Sequence, residues 1–338
     1  MRPGIMQILK KIVSFLLRIS ISVALLVFLF SRVDKGSLLS ILKNADRSLL
    51  FVALFIFSLN YVLSLFRWEM LLRASRINLP MKRVIISFAG GVFFSIFLPS
   101  TIGGDLMRSV DLATYTRKPR EVVATVLMDR LSGYIGLVIL AAISLAVGFG
   151  LVRDRSVLIS VAVLALVLIC VLLVLFDKAL YTKVNRIVQS PNAGRMRQIL
   201  SSLHRELHIF RRHKDIIVDN LVLSILIQIT TPLTFFITAK SLGLDVNIAY
   251  FMIFIPIISA VTLLPISIGG LGLRDAMTIY FFAKAGVSKD MSFAMSLVNF
   301  SFILFFGVLG GLIYVLTVRH RRLQHHKPPA IQPHAKKP

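Results

Sequence analysis

The chain has 338 residues, 57% of them hydrophobic and only 16% charged, with a mean hydropathy of +0.83. That composition excludes an ordinary soluble domain and leaves no room for a separate soluble catalytic unit. A net charge of +24 and a pI of about 11.0 invite a nucleic-acid reading, but the basic residues are spread between apolar stretches, where they act as topology signals and as contacts for anionic lipid.

Taken in chain order, apolar stretches of about 20 residues, enough to cross a hydrocarbon core of about 30 Å, run over 12–30, 49–66, 131–151, 157–176, 216–239 and 291–318. The first has basic flanks like a signal peptide but no small-x-small cleavage pattern, so it reads as a retained helix. Two further apolar segments, 84–99 with Gly90 and Gly91 and 248–265 with Pro256, are too short or too interrupted for simple spans. Each leads into a related string: Leu98-Pro99-Ser100-Thr101-Ile102-Gly103-Gly104 followed by Arg108, and Leu264-Pro265-Ile266-Ser267-Ile268-Gly269-Gly270 followed by Arg274. Matched interruptions by Pro and Gly in two halves of a membrane chain point to duplication around a binding site.

The expected architecture is an all-α integral membrane protein of six full spans and two re-entrant helical hairpins, arranged as an inverted repeat within one transmembrane domain, 1–318. Half one covers 12–151 and half two 157–318, with a cytoplasmic amphipathic linker at 177–215. Within that linker Met196, Ile199, Leu200, Leu203, Leu207 and Phe210 recur at helical spacing among arginines. This helix reads equally as lying on the inner leaflet or on the protein's own cytoplasmic surface. The segment 319–338, rich in Pro, His and Lys, is expected to be a disordered basic tail. Well over half of the 39 lysines and arginines fall on the side that holds both termini, which the positive-inside rule assigns to the cytoplasm. The expected location is the cell membrane.

For chemistry, helices opening just after Gly103-Gly104 and Gly269-Gly270 would present free amide groups and a positive dipole end to an anion. Arg108 and Arg274, one turn on, supply guanidinium forks suited to phosphate. The structural alternative is that the glycines let helices cross closely and that the arginines snorkel to an interface. The candidate lipid- or anion-binding residues are Gly103, Gly104, Asp105, Arg108, Arg130, Gly269, Gly270, Arg274 and Asp275. Asp105 is expected to pair with Arg108, the alternative being proton coupling. Asp129-Arg130 reads either as a boundary anchor or as a wall of the cavity, and Arg67-Trp68 as an aromatic and basic interface anchor. Asn60, Gln228 and Asn299, polar residues within spans, are ordinary interhelical hydrogen-bonders that also suit a polar path.

His204 and His208 have a metal-capable spacing, but Glu206 is misplaced for a zinc protease motif. No metal or other cofactor is expected. With no nucleophile elbow and no phosphate-binding loop, the chain reads as transporter-like rather than as an enzyme.

Pro-Ser-Thr-Ile-Gly-Gly-Asp-Leu-Met-Arg at 99–108, Asp-Arg-Leu-Ser-Gly-Tyr at 129–134 and Pro-Ile-Ser-Ile-Gly-Gly-Leu-Gly-Leu-Arg-Asp at 265–275 resemble the flippase-like membrane domain of lysylphosphatidylglycerol synthases and their stand-alone relatives. The likeness runs over about 12–318. Where relatives carry Glu, this chain keeps the acid with a shorter reach at Asp129 and Asp275. The resemblance implies movement of a phospholipid, or another phosphate-bearing lipid, between leaflets. A separate soluble domain performs aminoacyl transfer in the synthases, and no counterpart of it is read here. The alternative function is the membrane subunit of a lipid-modifying transferase system, holding the lipid acceptor. Expected partners are anionic phospholipid headgroups, with no nucleic acid, and either a partner transferase or a second copy of the chain.

Overall fold

The computed structural model describes residues 20, 22–31, 33–97, 101–148, 155–176, 214–262, 267 and 270–325. The linker 177–213 with His204 and His208, the connecting residues 98–100 and 263–266, Gly269, and the part of the expected tail beyond His325 lie outside the described residues, as do most residues of 12–21.

Every regular element among the described residues is a helix: α1 Ser22–Ser31, α2 Lys35–Lys43, α3 Arg47–Ala74, α4 Met81–Phe97, α5 Thr101–Thr116, α6 Pro119–Val147, α7 Arg155–Phe176, α8 Lys214–Ser241, α9 Ile248–Thr262, α10 Leu273–Ala283 and α11 Lys289–His325. Local chemistry sets several boundaries. Asp34 and Asp46 cap α2 and α3, with Asp46 Oδ1 accepting from the amide of Ser48 at 2.8 Å, the role for which a short acidic side chain is preferred. Pro119 occupies the first turn of α6, where its missing N–H costs nothing.

Among the described residues, four helices are long and apolar enough to cross a membrane: α3, α6, α8 and α11. They coincide with the apolar stretches expected at 49–66, 131–151, 216–239 and 291–318. Their outer faces carry large exposed hydrophobics, including Phe51 at 72% and Leu316 at 64%, a surface that suits lipid and not water. The protein is an all-α membrane protein.

Two expectations are corrected. Pro256 does not interrupt its segment, because α9 runs through it, flanked by the buried Phe254, Ile255, Ile257 and Ile258; packing from neighbouring helices sustains a proline that an isolated helix would not tolerate. Likewise α11 continues to His325, so residues 319–325, expected in the disordered tail, extend a long helix.

α3 packs along α8, α4 along α11 and α6 along both α8 and α9, while α4 folds back on α5 and α10 lies against α9 and α11. Close approach of α4 and α11 depends on glycine: a Cβ on Gly310 would stand 2.7 Å from the Ala89 carbonyl oxygen. Two apolar clusters result. One gathers Phe251, Phe254, Phe282, Phe293 and Met295 around α9, α10 and α11; the other gathers Trp68, Leu72, Val84, Leu112 and Val126 around α3 to α6. Polar residues collect where α3, α5 and α6 converge.

Candidate functional site

A cavity of about 300 Å³ opens between α3, α4, α5, α6, α8 and α9. On α3 its wall includes Asn60, Ser64 and Arg67, spaced four and then three residues apart and therefore on one helix face. α4 and α5 meet beside it through glycine. A Cβ on Gly104 would lie 2.3 Å from the carbonyl oxygen of Gly91, so only glycine lets the two backbones come this close. Helix α5 begins at Thr101, which places Gly103 and Gly104 inside its first turn. The expectation of a glycine turn preceding the helix is corrected: both residues lie within α5, and Gly104 serves its packing against α4.

The cavity holds a chain of five charged side chains. Arg67 Nε donates to Asp129 Oδ1 at 2.7 Å, and Arg108 Nη2 donates to Asp129 Oδ2 at 2.8 Å. Arg108 Nη2 also reaches Asp105 Oδ1 at 2.9 Å, and Arg130 Nε donates to Asp105 Oδ2 at 2.5 Å. Each carboxylate thus sits between two guanidinium groups. Arg67, Arg108 and Asp129 are at most 6% exposed, whereas the Arg130 side chain is 34% exposed and marks the more open side of the network.

The remaining hydrogen bonds hold this chain in place. Arg67 Nη1 donates to Ser224 Oγ at 3.0 Å, and that hydroxyl donates to the Asn220 carbonyl at 2.6 Å. The Arg67 guanidinium packs directly on Gly133, where an added Cβ would meet Nη1 at an ordinary contact distance of 3.5 Å. The Gly133 carbonyl accepts from Gln228 Nε2 at 2.9 Å, and Asn60 Nδ2 donates to Thr230 Oγ1 at 2.9 Å. Arg108 stacks over the Trp68 ring, 4.7 Å from its centroid, a cation–π contact of about 0.5–2 kcal/mol.

Two features give this cavity the chemistry of a candidate anion site. Three guanidinium groups face two carboxylates, so the network carries one positive charge in excess. In addition Arg108 Nη1 is buried and donates to no protein group, on a side chain that lines the cavity. Leaving a buried donor unmet costs about 1–3 kcal/mol, and more for a charged group. Nη1 has almost no accessible surface, so a phosphate oxygen reaches it only when the side chains around it shift.

Of the residues expected at the site, Gly104, Asp105, Arg108 and Arg130 line the cavity. Gly103 sits one residue away in the same helical turn, and Gly269 lies outside the described residues. The second copy of the motif is placed elsewhere. Asp275 Oδ2 accepts from the Gly272 amide at 3.0 Å and Oδ1 from Ser296 Oγ at 2.5 Å, capping α10. Arg274 Nε donates to Ser296 Oγ at 3.2 Å, and its guanidinium lies 5.2 Å from the Phe300 ring centroid. Gly270 and Gly272 adopt φ of +76°, the left-handed region that favours glycine. The expectation that both arginines converge on one pocket is therefore corrected: Gly270, Arg274 and Asp275 build a helix start against α11, and half two contributes Ile227, Gln228 and Ser259 to the cavity instead.

Two residues first read as interface anchors prove central. Arg67 is 6% exposed and Trp68 fully buried, and Asp129 joins two arginines. The available sequence signal was the polar spacing Asn60, Ser64, Arg67 on an apolar helix, which marks an inward face. Among the described residues no group of three or more His, Cys, Asp and Glu side chains is placed to hold a metal ion.

The family model for the lysylphosphatidylglycerol synthase TM region matches residues 15–311, a span that includes every lining residue of the cavity. A protein of Methanothermobacter thermautotrophicus described as a UPF0104 membrane protein is 27% identical over 305 residues, covering 83% of this chain and 88% of the relative.

Proposed function

Because the chain belongs to the family of the lysylphosphatidylglycerol synthase transmembrane region, we propose that it is a transporter that moves a phosphate-bearing lipid between membrane leaflets, holding the headgroup in the cavity around Arg108. The observation that carries the reading is the buried network with one cation in excess and an unmet Arg108 donor. Charges within a membrane protein are costly, and they mark substrate pathways more often than they stabilise. A volume of about 300 Å³ is at the small end for ligand pockets and suits a headgroup whose acyl chains stay outside.

The packing of α3 on α8, α4 on α11 and α6 on α8 and α9 supports an inverted duplication, in which rocking of one half against the other exposes the cavity to each leaflet in turn. The chain performs no covalent chemistry in this reading, and its partners are anionic lipids of the cell membrane. Both termini lie in the cytoplasm; reporter fusions at each end check this.

Reconstitution into vesicles with a fluorescently labelled anionic phospholipid tests the proposal. Leaflet exchange is expected for the natural chain and for Arg274→Ala, and its loss for Arg108→Ala. Equal exchange by the natural chain and Arg108→Ala would sink the assignment. Headgroup binding without any exchange would favour an acceptor-holding subunit of a transferase system.

A further inference from the structure

The charge arithmetic of the cavity carries the proposed function one step further, to the class of headgroup, and rests on that reading of the site. Among the described residues, the charged lining side chains are Arg67, Arg108, Arg130, Asp105 and Asp129; the other polar ones are amides, hydroxyls and phenols that are neutral at pH 7. The carboxylates are already shared between guanidinium groups on both sides. They are therefore poor partners for a further cation, whereas the excess charge is unanswered. Beside Arg67, Arg108 and Asp129, each at most 6% exposed, an uncompensated charge is disfavoured, so the best occupant is the one that brings the total to zero.

We infer that the cavity selects a lipid whose headgroup carries one net negative charge, a phosphodiester with an uncharged alcohol, over zwitterionic headgroups and over headgroups made cationic by an aminoacyl ester. A phosphatidylglycerol-type headgroup cancels the excess charge. A phosphatidylethanolamine-type headgroup brings no net charge and leaves the excess in place. A lysyl ester, with two ammonium groups and one phosphate, adds a further positive charge to a site that already has one and also adds bulk to a cavity of about 300 Å³. The selecting residues are Asp105 and Arg130: they sit at the more open end of the network, with Asp105 13% and Arg130 34% exposed at the side chain, so the charge there can change without touching the buried Arg67–Asp129 pair.

The test compares leaflet exchange of labelled phosphatidylglycerol, phosphatidylethanolamine, lysylphosphatidylglycerol and phosphatidic acid in vesicles that contain the full chain. Phosphatidylglycerol is expected to exchange at least about tenfold faster than the zwitterion and the lysyl ester, a factor that a modest buried-charge penalty supplies. Arg130→Gln, which removes the excess charge, is expected to erase the preference for phosphatidylglycerol over the zwitterion. Asp105→Asn, which raises the excess to two, is expected to shift preference toward phosphatidic acid, the more highly charged phosphomonoester.

Equal exchange of all four lipids by the natural chain, with exchange still lost in Arg108→Ala, would overturn the charge selection and leave the transport reading intact. Should no lipid exchange at all, the transport reading falls. The charge selection then stands or falls on native mass spectrometry of the purified protein, by whether phosphatidylglycerol is retained over the zwitterion. Soluble glycerophosphoglycerol, the same headgroup without acyl chains, is the competitor that separates sources. Weak competition supports a lipid, and competition as strong as the lipid's own binding overturns it as the ligand.

Discussion

Arg108 and Asp129, on helices that follow one another in the chain, meet at 2.8 Å in the interior of the bundle, with Arg67 reaching the other oxygen of the same carboxylate at 2.7 Å. Both arginines come from segments that hydropathy alone assigns to the edge of the membrane. Their shared acid makes them one structural unit, and most of the behaviour expected of the site follows from it.

Removing that acid leaves the buried Arg67 with no carboxylate and Arg108 with Asp105 alone. Asp129→Asn is expected to destabilise the protein by about 3–5 kcal/mol, the cost of breaking a buried ion pair on one side only. The double change Arg67→Met with Asp129→Asn should be less damaging than the two single losses added together, because the pair is removed together. Thermal unfolding of the four proteins in one detergent measures the coupling; strict additivity would mean that the two side chains do not interact.

The chain has a single tryptophan, Trp68, and Arg108 lies 4.7 Å from its ring centroid. A headgroup that engages Arg108 should alter the field at the indole. Titration of the detergent-solubilised protein with phosphatidylglycerol is expected to shift or quench the tryptophan emission saturably, and Arg108→Ala should abolish the response. A zwitterionic lipid at equal concentration serves as the control.

At the crossing of α4 and α5, Gly104→Ala would put a methyl group 2.3 Å from the Gly91 carbonyl oxygen. The helices must then part, at a cost of about 1–3 kcal/mol for overpacking, and the cavity wall moves with them. Lower thermal stability together with reduced lipid exchange is the expected outcome. Unchanged stability would show that the close approach is not needed.

The second motif should behave differently from the first. Asp275→Ala removes the acceptor for the Gly272 amide and for Ser296 Oγ, and is expected to cost about 1–2 kcal/mol as a lost helix cap. The order of preference among lipid headgroups should stay the same. A changed order would tie α10 to headgroup selection and contradict the assignment of that motif to helix capping.

Much of the architecture was legible in the residues themselves. The helices α3, α6, α8 and α11 follow from apolar stretches of spanning length, and Asp105 was correctly expected to pair with Arg108, three residues along the same helix. The repeated glycine motif was visible too, but its meaning was not. Gly-Gly followed by Arg is compatible with a turn at an anion site, with a tight helix crossing and with a helix cap, and the two copies adopt different members of that set. Gly104 packs against Gly91, while Gly270 and Gly272 turn the chain into α10.

Arg67 and Trp68 mark the boundary most sharply. At the end of an apolar stretch they look like an interface anchor, because hydropathy records position along one helix and nothing about its neighbours. Composition, periodicity and local caps therefore determined that this is an all-helical membrane protein, and where its main helices run, since backbone satisfaction in lipid and the apolar length needed to cross it act within single segments. Only the tertiary structure decided which charges share a carboxylate, because Arg67 and Asp129 are separated by 62 residues and their pairing depends on how α3, α5 and α6 cross, a relationship that no local pattern encodes.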